Sequence, residues 1–122
     1  MDNLYQFNPG NNSWPVALNI FPNQAALIEE LVNLLEKRLR LRLSSAEQKP
    51  MGFATGRTMH PVYRALVARL RLWKESDLDL LKREWCSFNL DEYVGLEKED
   101  RNSFYFYMRK YLSEPLDLSP DK

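Results

Sequence analysis

Two short segments of this chain hold the residue types that anion capture and proton transfer require. The first is Thr55-Gly56-Arg57-Thr58. Placed between a strand and a helix, such a segment offers unpaired backbone N–H groups and the positive end of a helix dipole, which together favour a phosphate. Gly56 lets the backbone approach the anion closely, and the Thr55 and Thr58 hydroxyls can donate hydrogen bonds. Gly and Thr also occur at such junctions simply to turn the chain and cap the helix. The second segment is Asp91-Glu92. A carboxylate at the end of a strand, facing the same crevice, can take a proton from a bound substrate. The competing reading is a solvated turn in which Asp91 bonds its own backbone.

For these residues to meet, strands must end at them. Val16 to Phe21 reads as a short buried strand stopped by Pro22, with Asn23 as the N-cap of a helix from about Gln24 to Leu43. On that helix Leu27, Ile28, Leu31, Leu34, Leu35 and Leu39 recur at helical spacing. Met51 to Ala54 is a second strand candidate, running directly into the first segment. Pro61 suits the first turn of a second helix, where its missing N–H costs little. Val62, Leu66 and Leu70 form one apolar row there, with Tyr63 and Val67 beside it. Ser76 and Asp77 punctuate the chain before a third strand, Trp85 to Leu90, which leads into the loop Asp91-Glu92-Tyr93-Val94-Gly95. Asn102 or Ser103 can cap a last helix carrying Phe104, Tyr107, Met108 and Tyr111.

This alternation predicts an α/β fold, a partial Rossmann-like parallel sheet of order β-α-β-α-β-α. Right-handed crossovers would bring both segments to the carboxyl edge of the sheet, where ligands bind in open α/β folds. The expected organisation is a polar extension over 1–15, one domain over 16–120 and a tail at 121–122.

Composition narrows the function classes. The chain has 122 residues, 44% of them hydrophobic, which suits one modest globular domain or part of a larger one. Seventeen Lys and Arg balance seventeen Asp and Glu, so the net charge is zero. That balance argues against a nucleic-acid binder and gives no reason to expect a membrane partner. Cys86 is the single cysteine and His60 the single histidine, so no internal disulfide forms and no zinc site is expected. Met1-Asp2-Asn3 lacks the layout of a secretory signal, and no apolar run approaches membrane-spanning length, so a cytoplasmic protein is expected. The Lys37, Arg38, Arg40 and Arg42 cluster suits a helix carboxyl terminus and reads as a solvated face. His60 reads as a surface imidazole near the first segment, and Cys86 as a small core residue.

Read as longer strings, both segments resemble a known family. Gly52-Phe53-Ala54-Thr55-Gly56-Arg57-Thr58-Met59-His60-Pro61-Val62-Tyr63 resembles the phosphate loop of the glucosamine-6-phosphate deaminases, whose usual form is G-L-A-T-G-S-T-P with an aliphatic residue and a Tyr following. Ser87-Phe88-Asn89-Leu90-Asp91-Glu92-Tyr93-Val94-Gly95-Leu96 resembles that family's F-N-L-D-E-Y-V-G-L. Ser103-Phe104, with Met108 and Leu112, is similar to its S-[YF]-x-x-F-M segment. The related 6-phosphogluconolactonases tend to have D-E-R where this chain has Asp91-Glu92-Tyr93, which favours the deaminase branch over lactone hydrolysis.

The resemblance implies the amino-terminal half of a deaminase-type domain. It also implies a reaction without cofactor or metal, in which glucosamine 6-phosphate and water give fructose 6-phosphate and ammonia. Asp91 would be the base that moves a proton from C2 toward C1, with Glu92 and Tyr93 in support. Thr55, Gly56, Arg57 and Thr58 would hold the sugar phosphate. Arg57 and Met59 depart from the family's Ser and Pro. The family's G-x-G-x-D-G-H-x-A-F-N-E motif, whose His opens the sugar ring, has no counterpart in this sequence. The isolated chain is therefore expected to be inactive and to need a complementing carboxyl-terminal half or a homo-oligomeric partner. A non-catalytic sugar-phosphate-binding remnant or sensor is the alternative, and a 6-phosphogluconolactonase is a weaker one.

Overall fold

The computed structural model describes residues 18–45 and 49–119. Helix α1 (Gln24–Ser44) starts where the Asn23 side chain accepts the N–H of Ala26 at 2.9 Å, as an N-cap should. Strand β1 (Met51–Phe53) follows, then α2 (His60–Leu70), α3 (Glu75–Glu84) and strand β2 (Ser87–Asn89). The chain closes with α4 (Phe104–Met108), a π-helical turn (Arg109–Ser113) and α5 (Glu114–Leu116), ended by Asp117 in the left-handed conformation at φ 54°. Asp tolerates that region better than most residues with a side chain.

The two strands pair in parallel, with Met51 opposite Ser87, Gly52 opposite Phe88 and Phe53 opposite Asn89. The fold is thus α/β, with crossover helices between parallel strands. The expected first strand over 16–21 falls partly outside the described residues, and 18–21 form no strand. The extension over 1–15 and the tail at 121–122 also lie outside them. Helix α3 is absent from the sequence-based expectation. It carries Glu75 and Asp77 in its first turn and Lys82 and Arg83 in its last, the order a helix dipole favours.

One face of the sheet carries the core. Phe53 is buried, stacks on Trp85 with ring centroids 5.7 Å apart and meets Tyr63 edge-on at 5.9 Å. Val62, Tyr63, Leu66, Val67 and Leu70 of α2 are all buried, as the apolar row predicts. Val32 and Leu39 of α1, Leu81 of α3 and Leu112 join them. At the outer rim Glu36 accepts the Trp73 indole N–H at 2.7 Å and an Arg69 guanidinium N–H at 3.0 Å. Arg40 pairs with Glu36 and lies 4.0 Å over the Trp73 ring, so part of the basic cluster is packed and not simply solvated.

The other face is exposed among the described residues. Phe88 and Leu90 are 50% and 61% exposed, and they lean over Gly52, whose missing Cβ would sit 2.9 Å and 2.7 Å from their side-chain tips. Cys86 follows the same alternation and is exposed, which corrects its expected place in the core. Parallel sheets ordinarily have both faces covered.

Candidate functional site

The register of the sheet brings both predicted segments to one edge. Phe53 and Asn89 are the last paired residues, and Thr55 and Asp91 each lie two residues beyond them in parallel strands. Between β1 and α2 the chain turns at Gly56, whose φ of 109° is a conformation that side chains rarely adopt. The Met59 N–H closes the turn on the Gly56 carbonyl at 3.1 Å. Arg57 and Thr58 are exposed, and Thr55 is half-buried.

Helix α2 has no side-chain cap, and Pro61 in its first turn has no N–H to satisfy. Neither threonine therefore caps the helix. Among the described residues, the N–H groups of Thr55, Gly56, Arg57 and Thr58 have no hydrogen-bond acceptor. Backbone donors left open before a helix start suit an anion. His60, the first residue of α2, is exposed and packs on Tyr111 with ring centroids 4.2 Å apart.

After β2, two adjacent carboxylates are treated differently. Glu92 accepts the N–H of Tyr93 and of Phe104 through Oε1, both at 2.9 Å, and of Tyr105 through Oε2 at 2.8 Å. It thereby satisfies two donors at the start of α4, while Ser103, the N-cap, takes Phe106 N–H at 3.0 Å. Partial burial pushes the Glu92 carboxyl upward, but the N–H groups of Phe104, Tyr93 and Tyr105 outweigh it and hold the group below its ordinary range. Tyr93 packs its ring on Phe104 at 4.9 Å. The Asp91 side chain is exposed and has no hydrogen-bond or ion-pair partner among the described residues. The competing expectation, a turn in which Asp91 bonds its own backbone, does not describe this loop.

Two site-forming residues escape the sequence reading. The Tyr63 hydroxyl donates to the Ala54 carbonyl, and the Tyr107 hydroxyl donates to the Gly56 carbonyl at 2.7 Å. Both tyrosines fall on apolar helix rows. The available signal is a phenol where phenylalanine would pack as well, since buried Tyr hydroxyls usually find a partner. Among the described residues no cluster of His, Cys, Asp and Glu could hold a metal ion, and no helix is long and apolar enough to cross a membrane.

The parallel strands, the crossover helix entered through an open-donor loop and the unpartnered carboxylate at the same edge define an α/β protein with a candidate anion site at the carboxyl edge of its sheet. Comparison with known proteins narrows this further. No protein-family model matches the chain. The glucosamine-6-phosphate deaminase of Oceanobacillus iheyensis is 41% identical over 68 residues, covering 56% of this chain and 25% of that protein. The deaminases of Bacillus velezensis and Shouchella clausii are 36% identical over 92 residues and 34% over 98, covering 73% and 78% of this chain. The solved structure of a monomeric glucosamine-6-phosphate deaminase of the NagB superfamily superposes with a TM-score of 0.52 at 32% identity, over 77% of this chain and 37% of that one. By sequence and by fold the chain is similar to part of the glucosamine-6-phosphate deaminases. It spans 36% and 38% of the length of the Bacillus velezensis and Shouchella clausii proteins.

Proposed function

We propose that this chain supplies the sugar-phosphate loop and the proton-transfer base of a glucosamine-6-phosphate deaminase site. Thr55, Gly56, Arg57 and Thr58 receive the phosphate through open N–H groups, two hydroxyls and one guanidinium. A phosphate held there pins the sugar carbons near the loop after β2. Asp91 then takes the proton from C2 of the open-chain sugar and returns it at C1, and loss of the C2 amino group with uptake of water gives fructose 6-phosphate and ammonia. Glu92 and Tyr93 support Asp91 by fastening its loop to α4.

The division of labour between Asp91 and Glu92 carries this reading. Glu92 takes the two backbone N–H groups that hold this loop to α4, together with that of Tyr93 within the loop, and Asp91 has no partner among the described residues. The names of the deaminase relatives support the reaction class. Opening the sugar ring needs a general acid–base group besides Asp91, a role we assign to a complementing segment. The exposed face over Gly52, Phe88 and Leu90 is where such a segment gains most by packing, because both faces of a parallel sheet are normally covered. The reaction belongs to amino-sugar metabolism in the cytoplasm.

The test is co-expression of the chain with the remaining part of a deaminase relative, followed by ammonia release from glucosamine 6-phosphate. Turnover that Asp91→Asn abolishes, with the complex intact, is expected. A stable complex that binds the sugar phosphate and turns over equally well without the Asp91 carboxylate would refute the assignment.

One observation favours a second reading, a sugar-phosphate sensor without turnover. Arg57 places an exposed guanidinium, unpaired among the described residues, within the loop itself. Tight binding of the sugar phosphate by the chain, with no turnover in any complemented complex, would favour the sensor.

A further inference from the structure

We propose that the Tyr107 hydroxyl is a positioning group, holding the Thr55–Thr58 loop in the conformation that receives a phosphate. The inference rests on the sugar-phosphate reading of that loop and adds a residue from the far end of the chain to it. Tyr107 Oη donates to the Gly56 carbonyl at 2.7 Å across a separation of 51 residues. The same oxygen closes the local turn with Met59 N–H at 3.1 Å, so it accepts on both lone pairs. One peptide earlier, the Tyr63 hydroxyl donates to the Ala54 carbonyl.

A planar trans peptide points its C=O and its N–H in opposite directions, and no peptide among the described residues is cis. Turning the Ala54 and Gly56 carbonyls onto the two phenols therefore turns the N–H groups of Thr55 and Arg57 away from them. Neither N–H has an acceptor among the described residues. The tyrosines thus occupy the acceptors of the loop on one side and leave its donors aimed at the other. Donors already aimed need no reordering when an anion arrives, which is where affinity is gained.

The loop needs such a brace. Gly56 sits at φ 109°, no neighbour lies within 4 Å of where its Cβ would be, and α2 lacks a side-chain cap that would fix the turn locally. The brace itself is well held. The Tyr107 ring meets Tyr63 edge-on at 6.3 Å and lies 4.7 Å from Tyr111, so deleting the hydroxyl leaves the ring in place. Burial, then the adjacent Tyr111, raises the Tyr107 hydroxyl above its ordinary range; burial, then Tyr107, does the same for Tyr63. Both remain proton donors at neutral pH.

The experiment compares the full chain with Tyr107→Phe and, as a packing control, Tyr111→Phe. Calorimetric titrations with inorganic phosphate and with glucosamine 6-phosphate are paired with amide hydrogen exchange over 55–59. Tyr107→Phe is expected to weaken both ligands by about five- to tenfold, as loss of one hydrogen bond implies. It should also speed exchange in the loop while the thermal midpoint stays close to that of the wild type, and Tyr111→Phe should change neither. Wild-type binding and exchange in Tyr107→Phe would overturn the proposal, as would equal losses in both variants. If the wild-type chain binds neither ligand, the sugar-phosphate reading fails. Loop exchange then still decides the brace: faster in Tyr107→Phe alone supports it, and unchanged overturns it.

Discussion

The carboxylate of Glu92 accepts the backbone N–H of Phe104 at 2.9 Å, across twelve residues of sequence, and fastens the loop after β2 to the first turn of α4. With Tyr105 N–H at 2.8 Å on the other oxygen, it does for this helix what a capping side chain does from within the chain. Glu92→Ala is expected to cost about 0.5–2 kcal/mol, the range for losing a helix cap. Urea titration reads that loss, and faster amide exchange at Phe104 and Tyr105 locates it. Unchanged exchange at those two amides would show that the carboxylate does not hold the loop.

Acid should loosen the molecule at two places. Burial pushes the Glu36 carboxyl up, but the Trp73 indole and the Arg69 and Arg40 guanidinium groups outweigh it and hold the group below its ordinary value of 4.5. Glu92 is held low by backbone N–H groups in the same direction. A carboxyl lowered on folding stabilises fully above its unfolded value, and that stability fades as pH falls through the folded one. Thermal midpoints measured from neutral pH into the acid range should therefore decline below about pH 4.5. Glu36→Gln should start lower and decline less steeply. A decline in Glu36→Gln identical to that of the wild type would contradict this account of Glu36.

Two glycines make opposite demands. Gly56 has open space around it but a φ of 109°, so Gly56→Ala meets no neighbour and yet forces a left-handed backbone costing about 1–2 kcal/mol. Gly52 has an ordinary strand backbone, and its added Cβ would press on Leu90 and Phe88, whose exposed side chains can swing away. Gly52→Ala is expected to cost less than Gly56→Ala despite the nearer contacts. Denaturant midpoints for the two variants check the order, and the reverse order would mean that the Phe88 and Leu90 tips are rigidly held.

Core burial divides the leucines as sharply. Leu66 is fully buried against Tyr63 and its neighbours, and Leu66→Ala should cost about 2–5 kcal/mol. Leu72, 83% exposed in the turn after α2, should tolerate alanine within about 0.5 kcal/mol. Paired urea titrations measure both, and a large loss at Leu72 would show that this turn is covered in solution.

Much of this arrangement is legible in the residues. Asn23 and the leucine spacing mark α1, and Ser103 marks the start of α4, because caps and periodicity are local physics. The strand ends are legible too, since Gly and Asp break the apolar runs where the two loops begin. Helix α3 is not, because Ser76 and Asp77 are turn-favouring types that outweigh the spacing of Leu78 and Leu81. Cys86 reads as core by residue type, but strand alternation puts it with Phe88 and Leu90 on the exposed face. The roles of Tyr63, Tyr107 and Glu92 depend on which distant backbone group each side chain meets, and no spacing rule reports that.

The most direct test of the central claim is a titration of the isotopically labelled chain with glucosamine 6-phosphate, followed amide by amide by NMR. The account predicts saturable shifts of the Thr55, Gly56, Arg57 and Thr58 N–H signals, with the amide of Asp91 moving in the same titration. Shifts confined to other surfaces, or none at concentrations where an intact deaminase saturates, would contradict it.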